Sequence, residues 1–325
     1  MADSSTSVPR HRLLAERWAR FRLLARQAAA PRVQTAVVTD SASGLPADWL
    51  AQAEREPWFE TVPLSIMAGD EIFPDGPEAE AALAIALAAG RPVKTSRPAP
   101  GTFERAYRSL ESQGFSSIVS IHLSGALSGT ADAARLAGER LSIPVHVVDT
   151  RTAGLAEGFA VQAAVQAAAR GASAEGVLAA VQASLLNSQV RFFLPDLEHL
   201  RRGGRIGAAA SWVGTVLSIK PLLAIRDGQI VPIERIRTAA RALPRLVELS
   251  LEDARGRSDP RLAVHYFGNR PEAEALAGQL EKALGDGAEV VVAPLPGALA
   301  AHTGVGVLAI VVSGGPTDQA AERAS

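Results

Sequence analysis

Two segments of this chain crowd small hydroxyl side chains where a structured run gives way to a turn. They are Lys94-Thr95-Ser96-Arg97-Pro98 and Leu123-Ser124-Gly125-Ala126-Leu127-Ser128-Gly129-Thr130. The residues before the second, Ser117-Ile118-Val119-Ser120-Ile121-His122-Leu123, read as a short strand feeding a loop. Hydroxyls and free backbone N–H groups at a strand-to-helix turn suit an anionic group, either carboxylate or phosphate. Plainer roles compete at several positions. Thr95 and Ser96 can stabilise a turn ahead of Pro98, and Asp40 with Ser41 can cap a helix. Ser124, Ser128 and Thr130 resist that explanation, because one helix needs one cap. His302 falls in Ala301-His302-Thr303-Gly304-Val305-Gly306, which reads as a glycine-rich turn and favours a role at a site. Arg201, Arg202 and Arg205 surround Gly203 and Gly204, as in a functional loop, although charge runs are commonly solvated faces.

The elements that must hold these residues follow from apolar periodicity. Short strands are expected at 36–38, 62–66, 118–123 and 145–148, several of them ending in polar residues such as Thr39-Asp40-Ser41 and Asp149-Thr150. Helical stretches are expected at 78–89, 102–112, 130–140 and 157–169. Alternating strand and helix implies a parallel sheet with ligands at its carboxyl edge. Beyond Gly171 the pattern changes: a strand at 189–194, an apolar helix at 208–217, and strands at 221–225 and 229–233 joined by the hairpin signal Asp227-Gly228. Further strands are expected at 262–267, 289–293 and 307–312, with a helix near 271–284. The expected architecture is α/β: a parallel-sheet α/β domain over 33–171 and a mixed α+β domain over 172–325. Residues 1–32 stand apart, with seven arginines against Asp3 and Glu16. They read as a basic amphipathic helix in transient contact with a membrane or partner, or as a plain terminal extension.

Composition narrows the function. The chain has 325 residues, 47% of them apolar, enough for two domains and a sizeable core. A formal net charge of −1 gives no electrostatic case for nucleic acid. The absence of cysteine removes disulfides, thiolate metal sites and a cysteine nucleophile, and fits a cytoplasmic protein. No metal site or organic cofactor is indicated. No apolar run approaches the roughly 18 residues that span a bilayer.

With these motifs in order, the chain resembles the DegV family of bacterial fatty-acid-binding proteins. The resemblance runs from about Thr35 to Ser313. It takes in Thr39-Asp40-Ser41, Lys94-Thr95-Ser96-Arg97-Pro98, Leu127-Ser128-Gly129-Thr130 and Asp149-Thr150. It continues through Leu200-Arg201-Arg202-Gly203-Gly204-Arg205-Ile206, Ile219-Lys220-Pro221-Leu222 and the His302 turn. The resemblance implies a long-chain fatty acid held between two α/β-type domains, its carboxylate on Thr95, Ser96, Ser124 and Ser128 with His302 nearby. Asp40, Ser41 and Thr130 would stand behind these. It also implies a partner, a fatty-acid kinase that makes acyl phosphate, and Arg201, Arg202 and Arg205 are the expected docking residues. Where the family often has paired serines this chain has Ser124-Gly125, and its usual His-x-Gly-Pro-Gly reads His302-Thr303-Gly304-Val305-Gly306. Two rival classes are a serine hydrolase using His302 and a phosphate- or nucleotide-binding regulator using Ser128-Gly129-Thr130. The first lacks a Gly-x-Ser-x-Gly elbow and an evident acid partner; the second lacks Walker and dinucleotide glycine patterns.

Overall fold

The computed structural model describes residues 33–212, 220–255, 257–285, 288 and 290–315. The expected N-terminal helix within 1–32 lies outside the described residues, as does the greater part of the helix expected at 208–217. Where that second stretch is described, Gly207–Trp212 is a 3-10 helix.

Strands β1 (Thr35–Asp40), β2 (Phe59–Val62), β6 (Ser117–His122) and β7 (Val145–Asp149) form a parallel sheet in the order β2-β1-β6-β7. Every residue of β1 and β6 is buried, as expected of a parallel sheet covered on both faces. The cover comes from α3 (Pro100–Ser112) with α4 (Thr130–Gly138), and from α5 (Leu155–Ala169) with α6 (Ala174–Leu186). The chain leaves β1 to one side for β2 and later returns to its other side as β6. The carboxyl ends of β1 and β6 therefore flank a topological switch point, where open α/β sheets hold ligands.

The segment expected as one strand at 62–66 is two strands in different sheets. Pro63 has no N–H for a ladder, and the chain turns there from β2 to β3 (Ser65–Ala68). With β4 (Glu71–Pro74) and β5 (Val93–Ser96), β3 makes a small antiparallel sheet in the order β4-β3-β5. Helix α1 (Ala47–Ala53) lies between β1 and β2, and α2 (Pro77–Ala88) joins β4 to β5.

The second half builds a six-stranded mixed sheet in the order β10-β9-β8-β13-β11-β12. Its strands are β8 (Gln189–Phe193), β9 (Lys220–Arg226), β10 (Gln229–Ile236), β11 (Ser258–Tyr266), β12 (Val290–Pro294) and β13 (Leu308–Gly315). Period-two alternation splits its faces. Leu308, Ile310 and Val312 pack under α8 (Ala239–Arg255) and α9 (Arg270–Leu284), while Val307, Ala309 and Val311 face α5 and the first sheet. Two short helices complete the site wall, α7 (Glu198–Arg202) and α10 (Gly297–Thr303). Arg201 and Arg202 thus lie on a helical turn rather than in the loop itself. His302 closes α10 instead of lying in a glycine turn, because Gly304, at φ +79°, ends the helix just after it. Among the described residues no helix is long and apolar enough to cross a membrane.

Candidate functional site

Between the carboxyl edge of the first sheet and the inner face of the second lies a cavity. The space between its lining atoms, counted together with the solvent at its mouth, is about 810 Å³. Leu64, Leu123, Ala153 and Gly154 close it from the first sheet; Val190, Phe192, Ile225, Val307, Ala309 and Val311 close it from the second. The polar side chains on the lining are few and gather mainly at one end: Thr95, Ser128, Arg205, His302 and Thr303.

Each of these is positioned by its element. Thr95 pairs with Ile66 across β3 and β5 and shares its inward face, so its Oγ1 meets His302 Nε2 at 2.7 Å. Ser96, one residue on, takes the other face and is exposed. His302 is held from behind by the Gly203 backbone, which lies so close to Nδ1 that a Cβ there would overlap the ring. That nitrogen is buried without a hydrogen-bond partner. Burial, reinforced by the nearby positive charge of Arg205, pulls His302 down to a pKa of about 4, so the ring is neutral at neutral pH. With its hydrogen on Nε2 the ring donates to Thr95, which leaves the threonine O–H free to donate into the cavity.

Ser128 and Thr130 share a 2.9 Å hydroxyl contact at the start of α4. Arg205, half-buried, donates from Nε to Leu127 O at 3.0 Å and from Nη1 to Gly203 O at 2.6 Å, tying the glycine loop to the serine loop. Arg97 lies against Gly129, where any side chain would collide with its guanidinium. The polar end therefore offers neutral hydroxyls, a neutral imidazole and one lining cation. Such a set can solvate a carboxylate that enters with an apolar tail behind it.

The remaining expected residues sit beside the cavity. Ser124 is buried and donates to Gly228 O at 2.7 Å, which fastens the β9–β10 hairpin to the first sheet. Asp40 caps the 3-10 turn Ser41–Ser43 through Ala42 N and also accepts from Leu123 N. Ser41 donates to Asp75, whose carboxylate in turn accepts from Ala298 N near the start of α10. The Thr39-Asp40-Ser41 run thus steadies the helix that carries His302. Arg201 and Arg202 are exposed, with Arg202 ion-paired to Glu198.

One buried array has the order of a hydrolytic triad. Asp40 Oδ2 meets His122 Nδ1 at 2.9 Å, and His122 Nε2 meets Ser120 Oγ at 2.7 Å. All three side chains are 0% exposed, and Ser120 is bonded onward to the buried Tyr107 hydroxyl at 2.7 Å. No substrate can reach that serine, so the array is core structure.

Sequence reasoning missed three residues. His265 lies on the cavity wall, accepting from Leu155 N through Nε2 at 2.9 Å while Nδ1 faces the Ala293 and Pro294 carbonyls. Asp75 lies in no motif, and Arg97, although inside Lys94-Thr95-Ser96-Arg97-Pro98, has no role assigned by it. The sequence pattern groups Arg205 with Arg201 and Arg202 at a docking surface, whereas the structure places it on the cavity lining.

A family model described as "uncharacterised protein, DegV family" matches residues 34–314. A DegV domain-containing protein of Streptomyces coelicolor is 39% identical over 279 residues, covering 86% of this chain and 98% of that one. Among solved structures, one described as showing fatty acid binding of a DegV family protein from Thermus thermophilus is 32% identical. Its TM-score is 0.78, over 86% of this chain and 99% of that one. Another, described as DegV, a fatty acid binding protein from Bacillus subtilis, is 28% identical with a TM-score of 0.77, over 86% and 99%.

Proposed function

This chain belongs to the DegV family, and from that premise we propose that it binds a long-chain fatty acid in the cavity between its two sheets. The observation that carries the reading is the apolar cavity whose polar side chains gather mainly at one end. An acyl tail is held by burial, at about 0.8 kcal/mol per methylene. The carboxylate takes hydrogen bonds from Thr95 and Ser128 and the field of Arg205. Mass spectrometry of lipid extracted from the purified protein tests this. A stoichiometric long-chain acid is expected; protein that carries none and takes up none from solution would remove the reading.

The finer step is presentation of the bound acid to a fatty-acid kinase in the cytoplasm. A carboxylate oxygen attacks the γ-phosphorus of ATP held by the partner, ADP leaves, and an acyl phosphate remains. In support, the carboxylate end adjoins α7, whose exposed Arg201 and Arg202 sit beside the Gly203-Gly204 loop. Exposed charges govern encounter and partner choice more than ligand affinity. Reversing both with Arg201→Glu and Arg202→Glu is expected to leave the bound acid in place and cut acyl-phosphate formation at least tenfold at low kinase concentration. Undiminished phosphorylation would remove α7 from the docking surface.

A further inference from the structure

Two cavities meet at one pair of side chains. The apolar cavity runs along β13 away from His302. Val307, Ala309 and Val311 take successive inward places, and four residues of strand put Val311 about 13 Å beyond Val307. There Val311 stands opposite Val190 on β8, and Val190 stands opposite Ile225 on β9. A second, more open cleft, about 1130 Å³ together with the solvent at its mouth, is lined in part by the same Val190 and Ile225. Its other walls are mostly polar, including Thr152, Gln182, Gln189 and Arg226, with Leu185 and the 79% exposed Leu186 beside them. One rung of the sheet thus separates an apolar tunnel from a wet cleft.

We propose that the Val190–Ile225 rung is the stop for the methyl end of the acyl chain and so sets the longest acid that binds well; this rests on the fatty-acid reading above. Short of the rung, each buried methylene strengthens binding about fourfold. Beyond it, the chain would emerge among Thr152, Gln182 and Arg226, where a methylene gains less burial and displaces water from polar groups. The stop is made of side chains rather than backbone, so its position moves with side-chain volume. The Val190 and Ile225 side chains are hydrocarbon and take no part in the hydrogen bonds of Thr95, Ser128 and His302, so substitutions there leave the polar contacts of the head group in place.

The test compares wild type with Val190→Ala, Ile225→Ala and Val190→Phe. It uses displacement of a fluorescent fatty acid by saturated acids of graded length, and mass spectrometry of the acids that copurify. Opening the rung is expected to move the optimum longer by the volume vacated, about two methylenes for Val190→Ala and about three for Ile225→Ala. For two added methylenes the ratio of affinities for the longer acid over the wild-type optimum should rise about fifteenfold. Val190→Phe is expected to shift the optimum shorter. Two independent alanine variants guard against a single one failing to fold, and thermal unfolding of each reports that directly. Length profiles that superimpose on wild type, in variants that all hold acid, would overturn the stop and leave the binding reading standing. Wild-type protein that binds no acid of any length would overturn both.

Discussion

At the scale of single residues, the site depends on pairs that are far apart in sequence. Thr95 and His302 meet at 2.7 Å, and the other ring nitrogen of His302 already lacks a partner. Thr95→Ala would leave both nitrogens of a buried ring unpaired and remove the hydroxyl aimed at the ligand. A loss of about 1–3 kcal/mol in fatty-acid affinity is expected, the usual cost of stranding buried polar groups. Thr95→Ser should recover most of it, since the hydroxyl is the working group. Displacement titrations on the two variants decide this; equal affinity for alanine and serine would show that Thr95 is only packing. The hydroxyl residues were legible in the sequence because a strand end crowded with Ser and Thr is an uncommon pattern. The position of Arg205 was not. Its place on the cavity follows from bonds to Leu127 and Gly203, the first of them a contact between segments that no local spacing encodes.

At the scale of elements, the β9–β10 hairpin shows how a local signal acquires a tertiary role. Asp227 and Gly228 both have positive φ, +51° and +81°, as a two-residue hairpin turn requires. That turn is what the Asp-Gly pair announced. Its docking is a separate matter: Gly228 O accepts from Ser124, and Asp227 pairs with Arg151. Ser124→Ala would strand the Gly228 carbonyl and loosen the hairpin without removing a donor from the cavity lining. A stability loss of about 1–3 kcal/mol in urea unfolding is expected, with much less effect on ligand affinity than Thr95→Ala. A large affinity loss at unchanged stability would instead return Ser124 to the carboxylate site. The alternation of strands and helices in the first half was legible because fully buried parallel strands are continuous apolar runs. Helix α8 was not, since Pro244 inside it reads as a break. The split at Pro63 escaped notice for the converse reason: an apolar run carries no mark of which sheet it joins.

At the scale of the whole molecule, the two halves are joined by a histidine that cannot charge without cost. His265 takes the Leu155 N–H from the start of α5, while its Nδ1 faces carbonyls at the end of β12. In that network Nε2 is the acceptor and Nδ1 carries the hydrogen. Complete burial lowers its pKa to about 4. An unfolded chain would protonate near the ordinary value of about 6.5. Between those values the unfolded state binds the extra proton, so the stability His265 contributes is complete above about pH 6.5 and is lost as pH falls toward 4. Glu157 acts with the opposite sign. Its fully buried carboxyl is held well above the usual range by burial and by Asp40, so it weakens the fold as pH rises above the normal glutamate value. The net curve mixes both, and His302 adds to the first. His265→Gln isolates one contribution, because glutamine retains an acceptor but does not titrate. The gap in unfolding free energy between wild type and His265→Gln is expected to shrink by about 1.4 kcal/mol per pH unit as pH is lowered from 6.5 toward 4. Urea unfolding at three pH values in that window measures it. A gap that stays constant would mean that His265 charges as readily in the folded protein as in the unfolded chain, and that the seam between the halves admits water.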